Sequence, residues 1–125
     1  MGTAYLWVFL GGGLGSVCRF GIARALVHHR LTFPLATLLA NVAACLLLGY
    51  LVGLSMRNGL APSHQLLLLT GFCGGFSTFS TFTAESFVLL QNGQWGLALL
   101  NVGLSLLSCL GALALGIWWA GAPAS

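Results

Sequence analysis

The chain has 125 residues, 58% of them hydrophobic and only 4% charged, with a formal net charge of +3. A soluble domain carries about 25% charged residues, and Arg19, Arg24, Arg30, Arg57 and Glu85 cannot supply a water-facing surface. The composition therefore specifies an all-α integral membrane protein. It also argues against nucleic-acid binding, because no basic run interleaves with aromatics.

A helix needs roughly 20 mostly apolar residues to cross the hydrocarbon layer, and four segments qualify. The first covers about residues 6–27. The second covers 33–55, with Pro34 in its opening turn. The third covers 65–90 and the fourth 95–119. The connectors are short and hold turn formers or polar residues: 28–32 with His28, His29 and Arg30, 56–64 with Gly59, Pro62 and His64, and 91–94 with Asn92 and Gly93. The three histidines read as surface residues. Trp7, Trp95, Trp118 and Trp119 fall near span ends, where interfacial belts form. Residues 1–125 read as one domain of four transmembrane helices. The N-terminus lacks a basic region, so no cleaved signal peptide is expected.

Gly11 to Gly15 has the look of a nucleotide loop, but no strand precedes it and its surroundings are apolar. Gly11 with Gly15, and Gly49 with Gly53, form G-x-x-x-G pairs that let helices approach closely, either within one chain or between two. Orientation is weakly encoded. Arg24 and Arg30 lie toward one side and Arg57 toward the other, a small bias under the positive-inside rule. A single orientation is one reading. Insertion both ways is the other, and opposed copies would pair about a two-fold axis in the membrane plane. Four helices are too few to enclose a pore and shield it from lipid, so a homodimer is the expected working unit.

The third span carries the most informative stretch, Gly71-Phe72-Cys73-Gly74-Gly75-Phe76-Ser77-Thr78-Phe79-Ser80-Thr81-Phe82. It is too polar and glycine-rich for an ordinary span. Irregular backbone at this depth is tolerated only where protein or an aqueous cavity covers it. The Gly74-Gly75 pair permits a helix break near 74–78. Freed amides there would bind anions and freed carbonyls cations. Phe79 and Phe82 share a helical face, with Ser80 and Thr81 between them. Their ring edges are electropositive and could stabilise an anion, although phenylalanines at this spacing also serve as core.

Thr37 and Asn41 share one face of the second span, and Asn101, Ser105 and Ser108 share one face of the fourth. An asparagine in hydrocarbon needs several partners, so these faces read as polar tracks or as interhelical glue. Glu85, the only acid, is a proton carrier, a cation ligand, or a structural partner of Arg19. Arg19 also suits a vestibule that draws anions. Cys18, Cys45, Cys73 and Cys109 fall one per span without a C-x-x-C pair, and read as small core residues. No triad, carboxylate pair or metal-ligand cluster suggests an enzyme.

At these residues the chain resembles the bacterial fluoride channel family, Fluc or CrcB, over essentially its whole length. Gly12, Gly15, Ser16, Arg19 and Phe20 resemble the family's first-span signature. Thr37 and Asn41 match its second-helix pair, and Gly71 to Phe82 followed by Glu85 resembles its most diagnostic motif. The resemblance implies a passive fluoride channel of the bacterial inner membrane, built as a dual-topology antiparallel homodimer with two pores. By the same resemblance, Phe79 and Phe82 coordinate fluoride by ring edges. Asn41, Ser80, Thr81, Thr37 and Ser105 line the pore, and Gly74 and Ser77 offer backbone carbonyls to a structural sodium ion. Asn101 stands where many members carry tyrosine.

Two other readings come from the residues. A small proton-coupled multidrug exporter would use Glu85, although that class usually places its carboxylate in the first span, which has none here. A structural subunit would transport nothing.

Overall fold

The computed structural model describes residues 2–27 and 33–121. The first connector, with His28, His29 and Arg30, lies outside them. Among the described residues, four stretches are long and apolar enough to cross a membrane: Gly2–Leu26, Leu35–Asn58, Pro62–Gln91 and Trp95–Trp119. We label the helices α1 (Gly2–Leu26), α2 (Leu35–Asn58), α3 (62–76), α4 (Phe79–Gln91) and α5 (Trp95–Trp119). α3 and α4 together make the third span.

Lipid offers no hydrogen bonds, so a spanning backbone must pair internally. That requirement outweighs the cost of about 1 kcal/mol for each helical glycine, and α1 stays helical through Gly11, Gly12, Gly13 and Gly15. The ends follow from turn chemistry. Pro34 precedes α2, and Pro62 opens α3, where its missing N–H costs nothing. Gly59 (φ 77°) and Gly93 (φ 76°) take the left-handed backbone that closes the two tight connectors. Arg57 reaches past the end of α2 and its guanidinium donates to the Ala120 carbonyl at 3.2 Å, satisfying an acceptor left over at the end of α5.

Helices in lipid associate through close packing, since the tails are as apolar as the side chains. Two parallel seams do this here. In the α1–α3 seam, Gly11 lies against the backbone of Leu67 and Phe72, and Gly15 against Phe72 and Phe76; a β-carbon at Gly11 would meet the Phe72 nitrogen at 2.8 Å. In the α2–α5 seam, Gly49 lies against Leu113, Gly53 against Ile117 and Ala120, and Gly116 against Leu46 and Tyr50. Both G-x-x-x-G pairs are thus used within the chain.

Most of α3 is π-helical, over Gln65–Cys73. The α3 residues facing α1 are Leu67, Gly71, Phe72, Gly75 and Phe76. That spacing of four to five residues is one that a wider π turn keeps on one face. The core between the seams holds Ala40, Ala44 and Phe76, with Ile22 and Phe72 packed on it. Leu99, Leu107 and Trp118 are exposed and face outward, as lipid allows.

Candidate functional site

The two seams meet where α3 stops. Gly74 and Gly75 remain helical, and the extended residues are the next ones: Ser77 (φ −83°, ψ 158°) and Thr78 (φ −150°, ψ 119°). The extended backbone thus lies within 74–78, at its far end and not at the glycines. Gly75 serves close packing, because a β-carbon there would overlap the Gly12 backbone.

Extended backbone at this depth needs outside partners, and α2 supplies them. The Thr78 N–H donates to Asn41 Oδ1 at 2.7 Å, and Asn41 Nδ2 donates to the Thr78 carbonyl at 3.2 Å. One asparagine amide thus accepts the N–H that Thr78 no longer gives to a helix and adds a second donor to its carbonyl. Thr78 then caps α4, its hydroxyl oxygen accepting the Thr81 N–H at 3.2 Å. It also donates to Thr81 Oγ1 at 3.1 Å and sits 3.4 Å from Ser80 Oγ. This diversion has a consequence for two carbonyls. The N–H groups of Thr78 and Thr81, which an unbroken helix would aim at Gly74 and Ser77, are engaged elsewhere.

Beside the extended pair lies an open groove of about 230 Å³. It is lined by Asn41 and Cys45 of α2, Ser77 and Thr78, Phe79 and Phe82 of α4, and Ser105 and Cys109 of α5. The Phe79 and Phe82 rings stand 5.7 Å apart at 44°. Phe79 is 76% exposed, so one wall of the groove has no cover within the chain.

A buried relay continues from Ser105. Its hydroxyl donates to Asn101 Oδ1 at 3.4 Å, Asn101 Nδ2 donates to Ser86 Oγ at 2.9 Å, and Ser86 donates to the Phe82 carbonyl at 2.8 Å. Asn101 is 1% exposed and finds partners at both ends of its amide. Ser108, in contrast, turns back to the Leu104 carbonyl, the local bond that serines in helices often make.

Of the residues singled out in the sequence, Asn41, Phe79, Phe82 and Ser105 come together on the groove. Ser80, Thr81 and Thr37 do not line it. Ser80 is exposed, Thr81 is tied to the cap, and Thr37 is buried one turn from Asn41. The possible Arg19–Glu85 pair does not form. Arg19 Nε donates to the Gly75 carbonyl at 3.3 Å, which Ser16 also approaches at 3.5 Å. Glu85 borders two cavities flanking Pro34, and its buried Oε1 has no hydrogen-bond partner among the described residues. Cys18 is exposed on α1 and not a core residue, whereas Cys73 is buried. His64 is exposed, as expected of a connector residue.

Thr78, Ser86, Cys45 and Cys109 were not anticipated. For the cysteines a signal existed: Cys45 lies four residues after Asn41, and Cys109 four after Ser105, so each extends a polar helix face already noted.

An all-helical arrangement of the described residues, with four membrane-crossing stretches and a largely apolar groove lined by uncharged side chains, is that of a multi-pass membrane protein. A family model described as CrcB-like protein, Camphor Resistance (CrcB), matches residues 6–117. A protein named fluoride-specific ion channel FluC from Maridesulfovibrio salexigens is 42% identical over 118 residues, covering 90% of this chain and 94% of that one. Proteins of the same name from Azobacteroides pseudotrichonymphae (40% over 111 residues, covering 87% and 89%) and Escherichia coli O139:H28 (42% over 114 residues, covering 90% of each) are similar. The chain belongs to the CrcB family, whose bacterial members with helical spans place it in the inner membrane.

Proposed function

We propose that this chain is a fluoride-selective channel that lets the anion leave the cytoplasm passively. The groove carries the proposal: it offers amide, hydroxyl and aromatic C–H donors, and no fixed charge faces it. Fluoride is small and strongly hydrated. A pathway must replace its water shell with donors numerous enough to admit it and weak enough to release it. The edges of Phe79 and Phe82 supply weak electropositive contacts. Asn41 Nδ2 keeps one hydrogen beyond its bond to Thr78, Ser105 would add another by turning from Asn101, and the capped N-terminus of α4 adds its dipole. Thr37, Ser80 and Thr81 extend the hydroxyl track beyond the groove, and Arg19 draws anions toward its mouth. The names of the relatives support a channel over an enzyme and over a proton-coupled exporter using Glu85.

The working unit in this reading is an antiparallel homodimer with two pores, inserted with dual topology. The uncovered side of the groove at Phe79 supports it, since a second chain would shield the path from lipid. Gly74 and Ser77 fit a structural sodium ion. Both carbonyls have lost their helical donors, and unwound carbonyls at a half-helix C-terminus are sodium ligands in other membrane proteins. Two carbonyls from each copy would hold the ion.

The test is efflux from liposomes holding the purified chain, read with a fluoride electrode. Fluoride should leave without a proton gradient. Phe79→Ile and Phe82→Ile should each stop it while the protein stays folded and dimeric. Normal efflux in both variants would refute the ring-edge mechanism.

A further inference from the structure

Two cysteines far apart in sequence converge on the groove. Cys45 of α2 and Cys109 of α5 both line it, and one turn further along each helix Gly49 lies against Leu113, so the parallel register sets the two thiols side by side. Cys73 of α3 is buried and does not border the groove. All are free thiols. Cys45 and Cys109 occupy the i+4 positions after Asn41 and Ser105, so whatever enters the groove beside those side chains meets sulfur next.

From this juxtaposition we propose that Cys45 and Cys109 form a two-thiol site for a soft divalent metal cation of the mercuric type, which plugs the groove. Three arguments select that class. Thiolate sulfur prefers soft metals over hard ones. Among the described residues no third histidine, cysteine or carboxylate joins them to make a metal cluster, so zinc, which wants four protein ligands in a structural site, is not satisfied. A mercuric ion accepts two sulfurs in a linear arrangement. Charge balance points the same way. The ion displaces one proton from each thiol, both protons pass to water, and the S–Hg–S product is neutral. A neutral product is favoured in an apolar groove, where an isolated charge is costly. No oxidant or reductant is consumed.

The effect on flux depends on the channel reading, but binding does not, so the two are measured separately. The full-length Cys18→Ala protein, which lacks the exposed α1 thiol, is purified in detergent and given mercuric chloride, then a large excess of a monothiol. The expected result is an intact-mass gain of one mercury less two protons per chain. The adduct should survive the monothiol, since two sulfurs from fixed helices hold the metal. Cys45→Ala and Cys109→Ala, each in that background, should lose the monothiol-resistant adduct, and Cys73→Ala should keep it. In liposomes, mercuric ion should stop fluoride efflux through the Cys18→Ala protein and spare whatever efflux Cys45→Ala retains. An adduct that persists in either single variant, or vanishes in Cys73→Ala, overturns the assignment. So does a mercury that the monothiol strips from the Cys18→Ala protein. A chain that holds mercury through both cysteines yet passes no fluoride would sink the channel reading and leave the metal site standing.

Discussion

Asn41 is predicted to hold the third span open, and replacing it with leucine tests this directly. Its amide makes two bonds to Thr78, at 2.7 and 3.2 Å. In a soluble core, stranding the Thr78 N–H would cost about 1–3 kcal/mol. In a membrane the unfolded helices also find partners, and measured polar contacts there average about 0.6 kcal/mol with a maximum near 1.7. A further escape exists here. Without Asn41, the Thr78 N–H is free to return to the Gly74 carbonyl, fusing α3 and α4 into one helix. The smaller figures therefore apply, and two bonds give an expected loss of about 1–3 kcal/mol. Reversible unfolding in mixed micelles measures it. The Gly74 carbonyl, labelled with carbon-13, should shift in the infrared as it gains a helical donor, and fluoride efflux should fall. An Asn41→Leu protein with unchanged stability, an unshifted Gly74 carbonyl and full efflux would show that the extended backbone is held by something else.

Three further outcomes are expected. Gly15→Val or Gly116→Val drives a side chain into facing backbone; overpacking should cost about 1–3 kcal/mol in the same unfolding assay. Asn101→Leu removes the relay from Ser105 to Ser86, and should cost about 1 kcal/mol while slowing efflux. Replacing sodium with a bulky organic cation during purification should weaken dimerisation, read by cross-linking yield, and sodium should restore it.

The sequence made the four spans legible because a membrane imposes one rule on composition and length, and Trp95–Trp119 begins and ends where its tryptophans predict. Asn41 was legible for a related reason: an amide at that depth must answer to something. Its partner was not. Thr78 looks like any other hydroxyl in a Ser/Thr/Phe string, and only the fold reveals that it gives up its helical bond. The glycine pair misleads in the opposite direction. Gly74-Gly75 suggests loose backbone, yet Gly75 is needed for its lack of a β-carbon against Gly12. Glycine in a span reports either freedom or crowding, and local sequence does not separate the two. Cys45 and Cys109 were passed over because thiols are usually inert filler. Their convergence depends on the parallel register of α2 and α5, which pairwise spacing within one helix cannot convey.

The interleaving of the two seams bears on how the chain is made. The intimate partners are the first with the third span and the second with the fourth, never neighbours along the chain. A ribosome delivering this protein in order therefore releases α1 and α2 with little surface shared between them. The earliest seam waits for Gly71 and Gly75 to arrive, and the other waits for Gly116 in the last turns of α5. Until α5 enters the bilayer, the glycine face of α2 at Gly49 and Gly53 has nothing to lock against, and nascent chains stalled before it should be the ones that quality-control proteases remove.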